Sequence, residues 1–201
     1  MDFFIMINGN KIIFITGTPC VGKTSVASNL FDYFKKIFNT KLIKINDFAF
    51  ENDLVLGEDS KKGYKVIDVD SLDEKLNHDI KLFFNSDLDK PISKLVIVEG
   101  HLSHLCSNCD KCIVLRLNPR ILEKRLKSRN YSKSKINENL EAEALSVCSA
   151  EAYDIHGNLV NEVDTTNKSV DDVTSIVKEI ILNDASYPVG NIDFMDWFLD
   201  N

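Results

Sequence analysis

The chain has 201 residues, enough for one domain with a substantial core and too few for two of full size. With 44% hydrophobic and 27% charged residues, and only 8 Gly and 4 Pro, its composition excludes a disordered chain. A formal charge of −7 argues against a broad cationic surface for nucleic acid and leaves small phosphate ligands or a basic protein as the expected partners.

Residues 1–7 are apolar but lack the positive flank and cleavage site of a signal peptide. They read as a strand-like extension, or as sequence upstream of a start at Met6. Five β-branched runs, 12–16, 41–45, 95–98, 112–117 and 159–163, predict buried parallel strands. From Lys23 onward Val26, Leu30, Phe34 and Ile37 keep one helical face. Ser71 and Glu74 form a capping-box pattern on the stripe Leu72, Leu76, Ile80 and Phe83. Asn118-Pro119 is an N-cap followed by proline at the first helical position. A helix starting near Asn137 would turn Leu140, Ala144 and Val147 inward and Glu138, Glu141 and Glu143 outward. The last regular helix runs from about Val170 to Leu182, with Ser169 and Asp172 at its start.

This alternation predicts one α/β domain, a parallel five-stranded sheet with helices on both faces. Two polar stretches interrupt it, 46–69 and 128–136, and long connections of this kind are commonly binding loops or lids. No apolar run approaches the roughly 18 residues that span a bilayer. Five scattered cysteines fit reduced thiols and a cytoplasmic location. The tail, 184–201, interleaves Phe194, Trp197 and Phe198 with Asp193, Asp196 and Asp200. It would dock on the protein's own surface or offer an acidic, aromatic contact to a basic partner.

Gly17-Thr18-Pro19-Cys20-Val21-Gly22-Lys23-Thr24 satisfies G-x-x-x-x-G-K-[ST], after a hydrophobic strand and before an amphipathic helix. In such a P-loop the strand delivers backbone N–H groups to phosphate oxygens, and the helix adds its positive end. Lys23 would contact the β and γ phosphates of ATP, and Thr24 would ligate magnesium. Glu99 ends a buried strand, where P-loop proteins keep an acidic residue for magnesium. His101 follows it, as a candidate for positioning water or as a surface histidine. His101 and His104 with Cys106, Cys109 and Cys112 look superficially like a metal cluster, but Cys112 opens a strand, and the thiols read as small packing residues. Arg125, on a basic helix beside Arg129, could reach the phosphate site.

The P-loop, Glu99-Gly100-His101, Val114-Leu115-Arg116-Leu117-Asn118-Pro119 and Leu126-Lys127-Ser128-Arg129-Asn130-Tyr131 together resemble the adenylate kinase isoenzyme 6 family, most closely its archaeal members. The likeness extends from about Lys11 to Leu182. It implies the P-loop NTPase fold of nucleoside monophosphate kinases, with a monophosphate-binding insert at about 46–67 and a small lid at about 128–138. It further implies adenylate kinase activity on ATP and AMP, ATPase activity, and a role in late maturation of the small ribosomal subunit through transient binding of small-subunit ribosomal protein eleven. On this resemblance Gly17, Pro19, Cys20, Val21, Gly22, Lys23, Thr24 and Ser25 cradle ATP. Arg129 becomes the lid arginine, Thr24 and Glu99 the magnesium ligands, and His101 the histidine of an acidic-x-His motif. The 164–169 loop, with Lys168, would pack on adenine. Three residues depart from the family pattern: Cys20 for glycine, Glu99 for aspartate, and Phe50 for an AMP-side arginine. The last leaves Lys61, Lys62 and Lys65 as the insert's cations. A nucleotide-switched ATPase assembly factor, or a kinase of the same fold acting on shikimate, a cytidine nucleotide or a nucleoside, are the alternative readings.

Overall fold

The computed structural model describes residues 9–58, 65–86 and 93–199. The expectations for 1–7, Lys61, Lys62 and Asp200 lie outside those residues. Strands β1 (Lys11–Thr16), β2 (Asn39–Lys44), β5 (Lys94–Glu99), β6 (Lys111–Arg116) and β7 (Val160–Asp164) form one parallel sheet in the order β2-β5-β1-β6-β7. Strand period sorts their side chains into two layers. Ile13, Ile15, Leu95, Ile97, Ile113 and Leu115 face helices α1 (Lys23–Phe34), α4 (Pro119–Ser128) and α7 (Val170–Asn183). Phe14, Val96, Val98, Cys112 and Val114 face α2 (Ile45–Glu51), α3 (Val69–Asn85) and α6 (Val147–His156). Near-continuous apolar strands are what a sheet covered on both faces requires.

Helix stripes and caps explain where the elements begin and end. In α1, Val26, Leu30 and Phe34 are buried as expected, but the helix stops at Phe34 and Ile37 is exposed. Phe38 occupies the core instead. Helix α3 begins before the expected Ser71 cap. Asp68 is the cap, accepting from the Ser71 N–H at 3.1 Å and the Ser71 hydroxyl at 2.8 Å. Asn118 caps α4 as expected, accepting from the Arg120 N–H at 3.0 Å with Pro119 at the first position. Asn118→Ala should therefore cost about 1 kcal/mol, read as a lower urea midpoint at unchanged slope. The capping box on α7 is also present, with Ser169 and Asp172 exchanging hydrogen bonds.

The largest departure follows α4. The stretch expected to be a polar loop is helical from Lys133, because Ser132 caps α5 (Lys133–Ala144), which begins four residues before Asn137. A left-handed Ser146, φ 57°, then ends one helix and starts another, so Val147 belongs to α6. Glu143, expected outward, is buried. Residues 46–67 contain α2 and part of an antiparallel hairpin, β3 (Val55–Glu58) and β4 (Lys65–Ile67). The tail folds back on the domain. The Glu162 N–H donates to the Tyr187 carbonyl at 2.8 Å, the Gly190 N–H donates to the Glu162 carboxylate at 2.8 Å, and Trp197 packs on the first core layer. This is the self-docking alternative of the two.

Candidate active site

Central strand β1 ends at Thr16 and the chain turns into the P-loop. Gly17 has φ 128°, and a Cβ there would lie 2.3 Å from the Leu115 carbonyl oxygen, so only glycine lets the loop pass between β1 and β6. Cys20 takes the left-handed conformation at φ 71°, a region glycine occupies without steric cost. Gly22, at φ 114°, leads into α1, whose N-terminus has no side-chain cap, leaving its first amides for an anion. The buried Lys23 ammonium donates to the Gly17 and Thr18 carbonyls, each at 2.8 Å. Burial holds its pKa below the ordinary lysine value, against the pull of Glu99 and Glu143.

The loop opens onto a cleft of about 380 Å³. Pro19, Cys20, Gly22, Lys23, Thr24, Ser25, Glu99, His101 and Arg129 line it, so the fold brings together most of the residues singled out in the sequence. Val21 instead turns into the core, Gly17 lies behind the loop, and Lys168 is exposed away from the lining. Its loop still touches the site, because the Thr165 hydroxyl donates to the Val21 carbonyl at 3.4 Å. Arg125 reaches the Cys20 carbonyl at 3.2 Å. Sequence reasoning missed Lys44 and Asp47. The available signal was register: β2 pairs with β5 so that Lys44 stands opposite Glu99.

The Thr24 hydroxyl donates to Glu99 Oε1 at 3.1 Å, and Asp47 lines the same cleft. This all-oxygen set fits a hard divalent ion such as magnesium. Among the described residues no group of three or more His, Cys, Asp or Glu is disposed to hold a metal ion, so protein ligands would share the ion with phosphate and water. Gly100, at φ 143°, lets Ile45 pack against its backbone; a Cβ would lie 2.4 Å from Ile45 Cγ2. His101 follows as an exposed residue on the cleft lining. Partial loss of hydration, and then the Lys23 charge, lower its pKa and favour the neutral ring.

Pro19, Asn46, His101 and Tyr131 are shared with a second cavity of about 620 Å³. Phe50, Val66, Ile67 and Leu102 give it apolar walls, while Lys65 and Lys135 bring cations. Lys65 Nζ lies 4.5 Å from the Phe50 ring centre, a cation–π contact where the resemblance led one to expect an arginine. Below both cavities runs a buried polar network. Thr18 donates to Glu143, and the Arg116 guanidinium donates to Glu143 at 2.8 Å and Glu162 at 2.6 Å. Burial works against the Arg116 charge, yet the two carboxylates outweigh it and raise its pKa above the ordinary arginine value.

The family model described as "AAA domain" matches residues 13–146. A protein named "Putative adenylate kinase" in Methanothermobacter thermautotrophicus is 40% identical over 188 residues, covering 94% of this chain and 99% of the relative. The chain belongs to this archaeal adenylate kinase family. Members of the family in Pyrococcus furiosus, 39% identical over 91% of both chains, and Archaeoglobus fulgidus, 38% identical over 92% of both, carry the same name. The fold also matches thymidylate kinase from Candida albicans, with TM-score 0.55, covering 88% of this chain and 92% of that one at 16% identity. Family and fold together make the chain a P-loop nucleotide kinase in architecture. Among the described residues no helix is long and apolar enough to cross a membrane.

Proposed function

We propose that the chain transfers the γ-phosphoryl group of ATP to a nucleoside monophosphate, with AMP as the acceptor, and hydrolyses ATP slowly without one. The observation that carries this reading is the pair of cavities meeting at Pro19, Asn46, His101 and Tyr131. One has the P-loop cations, and the other has apolar walls for a base and lysines for a single phosphate. In this reading residues 46–67 are the monophosphate-binding insert and 128–138 the lid. Lys23 neutralises charge growing on the transferred group, and Arg129 does so from the lid side. Thr24 and Glu99 hold magnesium, which supplies charge neutralisation on the phosphates when bound. Neutral His101, at the junction, offers a ring nitrogen to orient an attacking hydroxyl or water. Lid closure excludes bulk solvent.

The test is ADP release from ATP and magnesium, with and without AMP. Two ADP should appear for each ATP consumed when AMP is present, at a rate well above hydrolysis alone. If AMP leaves ADP production unchanged, the kinase reading is wrong. The −7 charge favours a second reading, in which a basic small-subunit ribosomal protein binds transiently and ATP hydrolysis resets that binding during late subunit maturation. Such a protein would then stimulate ATP turnover without AMP. We assign both activities to the cytoplasm, whose reducing conditions suit five free thiols.

A further inference from the structure

At the end of the sheet opposite the P-loop, Cys109-Asp110-Lys111-Cys112 enters β6. Cys109 Sγ lies 3.4 Å from His156 Nδ1, and His156 Nε2 lies 2.9 Å from the His104 carbonyl oxygen. A carbonyl oxygen only accepts, so Nε2 carries a hydrogen and the lone pair of the neutral ring sits on Nδ1, facing the thiol. Cys109 can therefore pass its proton to His156. Cys112, three residues on and buried in the same core cluster, interacts with that sulfur in the sense that favours a thiolate on Cys109.

The two sulfurs are thus unequal in chemistry and in access. Cys109 is 8% exposed, in the turn beside exposed Asn108, whereas Cys112 is fully buried. The interaction with Cys112, with help from His156, pulls the Cys109 pKa down to about 6 against burial, while Cys112 is pushed up. Burial pushes Cys106 to about 12 and Cys148 to about 11, which keeps both protonated near pH 7. His156 is raised, with its contact to Cys109 outweighing burial.

We propose that Cys109 and Cys112 form a peroxide-oxidisable dithiol, with Cys109 as the attacking thiolate, His156 as its proton acceptor and donor, and Cys112 as the resolving thiol. The Cys109 thiolate attacks one oxygen of hydrogen peroxide. The O–O bond breaks, and the departing hydroxide leaves as water with the proton held on His156. Cys109 is then a sulfenic acid. The Cys112 sulfur attacks it, the S–O bond breaks, and the hydroxyl leaves as water with the Cys112 proton. Two thiols and one peroxide become one disulfide and two waters, two electrons passing from sulfur to oxygen.

Tryptic cleavage after Lys94, Lys111 and Arg116 separates Cys109, in 95–111, from Cys112, in 112–116. After brief peroxide treatment of the full chain, alkylation and digestion without reductant, these two peptides should run as one reducible species joined at Cys109. Cys112→Ser should halt at a sulfenic acid on Cys109, trapped by a cyclic 1,3-diketone, and Cys109→Ser should give neither product. In the unsubstituted chain at pH 7, iodoacetamide should label Cys109 at least roughly tenfold faster than Cys106 or Cys148. His156→Phe should slow Cys109 labelling roughly tenfold. Recovery of Cys112 as a free thiol from the oxidised wild type, a linked pair that persists in Cys109→Ser, or oxidation confined to Cys20 would each overturn the proposal.

Discussion

Lys23→Ala is expected to lower ATP turnover at least roughly 100-fold, with or without AMP. The ammonium is buried in the mouth of the P-loop, held by two carbonyls of that same loop. From there it lies on the wall of the cleft that also receives Thr24, Glu99 and Arg129. A cation so placed needs little reorganisation as charge develops on a transferring phosphoryl group, which is what makes its loss expensive to the transition state. Stability should change little, because burial already disfavours the charged form and its lowered pKa reflects that. A coupled ADP assay beside a thermal melt separates the two effects. Turnover at the wild-type rate with an unchanged melt would sink the assignment of this loop to catalysis.

Arg116→Ala should destabilise the fold by about 3–5 kcal/mol, the largest stability effect expected of any single polar residue here. The guanidinium is 1% exposed, and so are Glu143 and Glu162. It also donates to the Glu143 carbonyl at 2.7 Å and lies 5.3 Å from the Phe194 ring. Its removal leaves two buried carboxylates without their cation and removes the platform under Phe194. Arg116→Lys should recover only part of the loss, since an ammonium cannot satisfy both carboxylates with the planar fork of arginine. Urea unfolding of the three proteins checks both statements.

The sheet, its helices and the P-loop were legible in the sequence because each rests on a local signal: β-branched runs, Asn118-Pro119, the Ser169–Asp172 box and the glycine–lysine spacing. What escaped prediction depended on partners distant in the chain. Glu143 looks like a solvated helix residue until β6 supplies Arg116, and an arginine inside Val114-Leu115-Arg116-Leu117 was the one hint that carboxylates would have to come inward. Lys44 joins the cleft only through strand pairing. The polar composition of 128–136 hid a helix, since Ser132 as a cap outweighs the loop-like character of the residues around it. The tail could not be assigned to its own surface before Glu162 and Arg116 were seen to hold it.

The bond between Thr18 and Glu143 has a mechanical consequence. Helix α5 is tethered near its C-terminal end, where Glu143 is also gripped by Arg116 and by the Leu117 N–H at 3.0 Å. Toward its other end Ile136 and Leu140 pack into the first core layer, and Ser132 caps the first turn. The helix is therefore a strut that stands on the floor of the phosphate loop. At 1.5 Å per residue it runs about 15 Å from Glu143 to Lys133. Lys135 and Glu138, on the wall of the second cavity, ride on that strut. A displacement of the loop at Thr18 would thus be carried along it to the wall of the second cavity.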